Sequence, residues 1–311
     1  MITTKTTAFF FCLLWATIFH LVINSASAQN GTTNDAGQGL AFSLSVIPIY
    51  QFQSNLDGGG EHSVSRYVLS ADARTDINDT LKMGFGLRYD FADHHFSGDT
   101  VFAGQDPWEN VHRLGFNVDF TYRPARTWSL NVTPSFTVAG ETDADWDDAL
   151  IYGATVSASS YFSRNLMLGA GVAVFEDIEE SQVFPFFVIF WQINDHLRLS
   201  NPFRPGPAGP AGLELAYIFD NGWEVAIGSA YRSFRFRLDD DGFAPDGVGE
   251  IESFPVFGRI SKSFGLNTFL DLYAGASLYG ELTVEDKDGR ELIADERDPA
   301  AFAALSFTVK F

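Results

Sequence analysis

Apolar and polar side chains alternate with a period of two along most of the chain after residue 39. Leu40, Phe42, Leu44 and Val46 make one apolar row, Leu81, Met83, Phe85, Leu87 and Tyr89 another, and Leu114, Phe116, Val118, Phe120 and Tyr122 a third. Two more are Trp128, Leu130 and Val132, then Leu270, Leu272, Ala274, Ala276 and Leu278, and the opposite faces carry small, polar or charged residues. Successive side chains of a strand point to opposite faces, so these rows predict strands with one apolar and one polar face. Fourteen are predicted, at about 40–54, 62–75, 80–92, 111–124, 127–140, 149–163, 165–176, 182–193, 196–204, 211–220, 222–238, 251–264, 267–284 and 299–311.

Connections between them alternate in length. Asp76 to Asp79, Pro124 to Arg126, Ser163 to Asn165, Asn194 to Asp195, Asp220 to Gly222 and Phe264 to Asn267 are short, while Ala92 to Asn110, Gly140 to Asp148, Asp239 to Glu250 and Glu285 to Asp298 are long. Short turns at one end and long loops at the other are expected of a transmembrane antiparallel up-and-down β-barrel, and that all-β fold is predicted over 40–311. The count is about 14 strands, or 12 if the proline-rich stretch 196–210 keeps two from spanning, since proline cannot donate to a ladder. Residues 182–193 are apolar on both faces, which suits contact with an internal plug or a second protomer.

Residues 1–28 carry Lys5, an apolar run from Ala8 to Ile23, and Ala26-Ser27-Ala28 before Gln29, the layout of a secretory signal peptide cleaved near Ala28. Residues 29–39 would be a short periplasmic tail. Cleavage removes the only cysteine, Cys12, and with it any disulfide or thiolate site. It takes the net charge from −20 to −21, because Lys5 is the only charge lost, and nucleic acid is a poor partner for such a chain. No later run reaches the ~18 apolar residues of a membrane helix, so a membrane form has to be a closed sheet.

Alternation directs many charges inward, including Arg66, Asp72, Arg74, Lys82, Asp90 and Arg123. The expected pore-lining set is Arg88, Arg113, Asp119, Arg232, Arg235, Arg237, Arg259, Asp271 and Glu281, with a phase shift near Ser233 turning the 232–237 arginines inward and Phe234, Phe236 and Leu238 outward. Such arginines either form an anion-selective constriction or pair with Glu224, Asp271 and Glu281 to fill the lumen. The acidic loops 141–148, 176–180, 239–241 and 285–288 are solvated surface, or hold divalent cations. His94 and His95, placed in a long loop beside Asp90, Asp93 and Asp99, are hydrated surface rather than a proton relay, and His62, His112 and His196 form no ligand set. No catalytic residue, metal or cofactor is expected.

The segment GPAGLELAYIFDNGWEVAIGSAYRSFRFRLDDDG, with GVGEIESFPVFGRIS and DLYAGASLYGEL after it, resembles a family of outer-membrane barrels of unknown function in environmental bacteria, over roughly residues 205–311. The final AFAALSFTVKF resembles the C-terminal assembly signal of bacterial outer-membrane barrels, which implies Leu305, Phe307, Val309 and Phe311 as contacts for the barrel assembly machinery. Chain length is similar to that of fourteen-stranded porins and aromatic-compound transporters, although residues 29–39 are too short for the hatch that the latter thread into the lumen. The resemblance implies an outer membrane of a Gram-negative bacterium as the location, outer-membrane lipid as a partner, and no catalytic residues. The expected function is a passive, porin-like channel for small solutes. A plugged structural or interaction barrel with cation-binding acidic loops is the alternative, and a barrel hydrolase a distant third.

Overall fold

The computed structural model describes residues 39–102, 106–201, 206–207 and 212–311, so the predicted signal peptide and nearly all of the predicted tail lie outside the described residues. Sixteen strands occur among them. The first eight are β1 (Ala41–Asn55), β2 (Glu61–Asp76), β3 (Leu81–Ser97), β4 (Asn110–Ala125), β5 (Trp128–Glu141), β6 (Leu150–Ser163), β7 (Leu166–Asp177) and β8 (Glu180–Gln192). The rest are β9 (Leu197–Ser200), β10 (Gly212–Ile218), β11 (Trp223–Ala230), β12 (Arg235–Arg237), β13 (Val248–Phe264), β14 (Thr268–Glu285), β15 (Glu291–Glu296) and β16 (Ala300–Lys310).

Fourteen of these strands form a closed antiparallel wall. Each of β1 to β10 pairs with the next, β11 pairs with β13, β13 with β14 and β14 with β16. Pairing of β1 with β16, from Ser43 opposite Lys310 to Gln51 opposite Phe302, completes the ring. The twelve-strand alternative fails because β9, although only four residues long, pairs with both β8 and β10. Strands β12 and β15 are additions at the end that carries the long loops; β15 lies in the 285–298 connection, where alternation predicts no strand.

Side chains build the short turns. Asn78 Oδ1 accepts from the amides of Thr80 and Leu81, each at 2.9 Å, and Asn194 Oδ1 accepts from His196 and Leu197 at 3.0 and 2.9 Å. These Asx turns let the chain reverse within a few residues. Gly222 and Gly265 hold φ of 78° and 68° at two other turns, a region that side chains with a Cβ disfavour.

Outward rows leave Leu87, Leu114, Ile227 and Leu272 exposed around the middle of the wall. Trp128, Phe162, Trp223 and Phe264 ring the turn end, and Tyr50, Phe52, Tyr152 and Tyr279 the loop end. An apolar band between two aromatic girdles is the exterior that a bilayer requires. The outward row of β16 holds Ala303, Leu305 and Phe307, while Phe302, Ala304, Ser306 and Thr308 are buried inward, with Thr308 and Ser45 sharing a 2.8 Å hydroxyl hydrogen bond.

Inside, large rings lie over glycines on the neighbouring strand. A Cβ on Gly171 of β7 would fall 2.4 Å from Phe186 Cζ of β8 and 2.6 Å from the Val156 carbonyl of β6. The double-sided apolarity of 182–193 thus arises because Val183 and Phe187 face outward while Phe184 and Phe186 face the lumen opposite Ala173 and Gly171.

The end with the long loops departs most from the alternation pattern. The phase shift near Ser233 is a full break, since β11 stops at Ala230 and the residues before β12 are held to β13 by a bridge from Arg232 to Ser253 and a 2.9 Å hydrogen bond from the Ile251 amide to the Phe234 carbonyl. Beyond the break, β12 pairs with β13 on one side and touches β5 in parallel at Arg237 and Gly140 on the other, although β5 and β13 stand half the ring apart. Phe236 and Leu238 are therefore not directed at lipid. They are buried with Phe102, Trp108, Val248, Leu282 and Val284 in an apolar core across the mouth, where the Trp108 and Phe236 rings meet edge to face at 5.2 Å.

Replacing Gly171 with Ala should lower stability by about 1–3 kcal/mol, the usual cost of overpacking. Gly258→Ala should stay within about 0.5 kcal/mol, because a Cβ there meets nothing nearer than 3.8 Å. Urea unfolding of the barrel in lipid vesicles reads both.

Candidate functional site

The lumen and its cap form the site. Inward rows of β2, β3 and β4 bring Arg66, Arg88, Asp90 and Arg113 together. Arg66 Nε donates to Asp90 at 2.6 Å and its Nη2 makes a second, shorter contact with the same carboxylate; Arg88 Nη2 stands 3.5 Å from it. From the opposite wall, Phe234, in the break between β11 and β12, reaches this group. Its ring centroid lies 4.9 Å from the Arg113 guanidinium and 5.8 Å from that of Arg66. Cations over an aromatic face are attracted by the ring quadrupole, so the break is held against the charged wall. The lumen is thus crossed at this level.

Towards the turn end the wall is more open. Arg74, Lys82 and Arg123 are exposed, and Asp119 is half-buried, accepting from Asn117 Nδ2 at 2.9 Å and Thr133 Oγ1 at 2.8 Å. On the other side the lumen is filled by an ion network around Arg259. Its Nε donates to Glu214 at 3.0 Å, its Nη1 to Asp271 at 3.3 Å, and its Nη2 to Glu214 at 2.6 Å and also to Glu224, which Arg198 holds at 2.8 Å. Arg259, Glu214, Glu224 and Asp271 are all buried. An apolar cluster of Ile47, Val68, Phe257, Tyr273 and Phe302 adjoins it.

Two arginines bolt the cap. Arg235 donates to Glu250 at 2.6 Å, to Glu285 at 2.5 and 3.0 Å, and to the Ile178 carbonyl at 3.1 and 3.2 Å. Arg237 donates to the carbonyls of Asp148 at 3.0 Å and Asp246 at 2.9 Å, and to Glu179 at 2.7 Å. Ile178 and Glu179 form the tip between β7 and β8, so both bolts tie β12 to loops of the opposite wall. Glu179 takes a left-handed φ of 58°, where a glycine would fit without cost, and its carboxylate is the group that Arg237 engages. In the 239–247 loop, burial raises the Asp239 carboxyl above its ordinary value, and Asp241, Asp240 and Asp143 add to this.

Eight of the nine predicted pore-lining residues therefore separate into three groups, and Glu281 stands apart from them. Arg88, Arg113, Asp119 and Arg232 lie along the lumen, Arg232 donating to the Pro207 carbonyl at 3.0 Å. Arg259 and Asp271 belong to the buried network. Arg235 and Arg237 sit in the cap, because β12 leaves the wall. Glu281 lies on the opposite face from the buried Leu282 and Gly280, next to Tyr279, whose hydroxyl donates to it. The register slip between Ser253 and Pro255 of β13 against β14 reverses the alternation there, which is why the pattern directs Glu281 inward and the fold does not.

His94 is on β3, which runs five residues beyond its predicted end, and it is buried against His62, with Nε2 of His62 3.0 Å from Nδ1 of His94. Counting outward from the tight turn at residues 77–80 pairs Val64 with His94 and His62 with Phe96, so this contact was readable from the hairpin alone. No group of three potential metal ligands occurs among the described residues.

The closed wall, lipid-facing band and charged interior define a transmembrane β-barrel of the outer-membrane type. No described protein family matches the chain, and no curated protein matches it in sequence. Among solved structures it is similar to an outer-membrane channel from Pseudomonas putida F1, at 14% identity over 91% of this chain and 98% of that one, with a TM-score of 0.49. The Pseudomonas putida toluene transporter TodX matches at 10% identity over 89% and 91%, with a TM-score of 0.44. The translocator domain of the autotransporter NalP from Neisseria meningitidis matches at 8% identity over 97% of each chain, with a TM-score of 0.34.

Replacing Arg259 with Met removes the cation that three buried carboxylates share and should cost about 3–5 kcal/mol in urea unfolding. Lys82→Ala, which removes an exposed 2.7 Å pair with Asp76, should cost under about 1 kcal/mol.

Proposed function

We propose that the protein is a passive outer-membrane channel for small solutes, closed at its outer mouth in the conformation described here. The observation that carries this reading is the makeup of the closure. It consists of the chain's own connections, chiefly residues 231–247 with Phe102 and Trp108 from between β3 and β4, held by Arg235 and Arg237 to loop tips. Below it the lumen has a charged wall on β2 to β4 and an aromatic wall on β8, a lining suited to small solutes with both polar and apolar parts. With the short turns on the periplasmic side, as is usual for this class, the cap faces outward.

Each large apolar side chain in the mouth contributes roughly 1.5–3 kcal/mol by being buried. Unpacking the whole core would therefore cost far more than releasing β12. Opening is local on this reading: the bolts release and residues 231–238 withdraw from the β2 to β5 side.

A reversible lock tests it. A Cβ on Gly140 would lie 3.6 Å from the Arg237 Cβ, within the ~3.5–4.5 Å range of disulfides, although Ala144 has to give slightly at 3.1 Å. In planar bilayers, the Gly140→Cys/Arg237→Cys protein should be silent when oxidised. Once reduced, it should conduct for longer periods than the native barrel, since one bolt is missing. A reduced protein that is folded, inserted and silent would sink the channel reading in favour of a plugged structural barrel.

A further inference from the structure

A cavity of about 80 Å³ lies inside the wall beneath the cap, between the inward faces of β1, β2 and β3 and the β11 to β13 side. Among the described residues its charged lining is entirely cationic: Arg66, Arg232 and Arg297. Among the described residues, only Arg66 of the three is paired with a carboxylate, that of Asp90. Arg232 has the Pro207 carbonyl, and the guanidinium of Arg297, a residue 5% exposed, reaches nothing closer among the described residues than the Ser277 hydroxyl and His62 Nδ1, both at 3.4 Å. Burial draws the Arg297 pKa down to about 10, which leaves it charged at neutral pH.

An uncompensated buried charge is costly, and burial without a counter-charge is the arrangement that folded proteins avoid. Three further donors or polar atoms here are without partners among the described residues. They are Arg297 Nε, Gln51 Nε2 and His94 Nε2. Gln51 and His94 both line the cavity, and His94 is 5% exposed. The remaining lining is apolar, including Ile49, Val64 and Ile251.

We infer that this cavity is a binding site for a short-chain monocarboxylate, its head group held by Arg297 and Arg232 and its hydrocarbon end against Ile49, Val64 and Ile251. A guanidinium offers a carboxylate two parallel hydrogen bonds, which satisfies the idle Arg297 Nε. A phosphate has no apolar portion to place against the aliphatic side. The small volume limits the ligand to a few carbon atoms. The site does not depend on the channel reading, because its charge imbalance holds whether or not solutes pass.

The test uses the full barrel purified from membranes in detergent, in a sulfonate buffer of constant ionic strength. Propionate should raise the thermal unfolding midpoint saturably, while chloride and phosphate at equal ionic strength should not. Arg297→Gln should weaken the propionate response at least tenfold, and Arg290→Gln, on an exposed turn, should leave it unchanged. Crystals soaked in 3-bromopropionate should show bromine anomalous signal in the cavity, a readout that stands even if Arg297→Gln fails to fold. No saturable response and an empty cavity overturn the proposal. An equal response to phosphate overturns the carboxylate assignment, and a response untouched by Arg297→Gln overturns the site.

Discussion

Hydrocarbon offers a peptide group nothing to bond to, so a sheet in a bilayer has to satisfy every N–H and C=O from its own strands. The pairing of β1 with β16 is where this chain meets that demand, since it removes the two edges that thirteen other pairings would leave. Most other features follow from closure. The wall divides each strand into a lipid face and a lumen face, and the charged residues on the lumen face can no longer reach bulk water freely. Arg259 gathers three carboxylates for that reason, and Arg66 takes Asp90 across a β2 to β3 pair.

Closure also decides what can happen at the mouth. Strands β13 and β14 rise past the short β9, β10 and β11, and the tall side carries apolar residues that lipid does not cover. Those residues are buried by folding across the opening, which brings Phe236, Leu238, Leu282 and Val284 against Phe102 and Trp108. Two arginines that alternation directs into the lumen then meet loop carbonyls and glutamates of the far wall. The cap is a consequence of unequal strand heights as much as of any particular side chain.

Position within this frame separates charges that look alike in the chain. Arg232, Arg235, Arg237 and Arg259 fall within 28 residues and share a predicted face, yet one lies beside a cavity, two hold the cap and one is at the centre of an ion network. Arg297, in a loop where no spanning strand is predicted, is placed by a bridge between it and Leu56 and becomes, of the four buried arginines among the described residues, the one with no carboxylate partner there.

Alternation by itself determined the fold class, the fourteen wall strands, all but β3, β9 and β11 nearly to their ends, and the facing of rows such as Leu81 to Tyr89, because a period of two is a local property of an extended chain between two solvents. Turn chemistry at Asn78 and Asn194 was equally local. The phase of β14 beyond Leu278, the break after Ala230 and the meeting of β12 with β5 were decided only by tertiary structure. Each depends on a register slip or a contact between strands half a ring apart, and no spacing along the chain encodes which distant wall a departing strand will reach. The meeting of Arg297 with His62, from segments 235 residues apart, belongs with them.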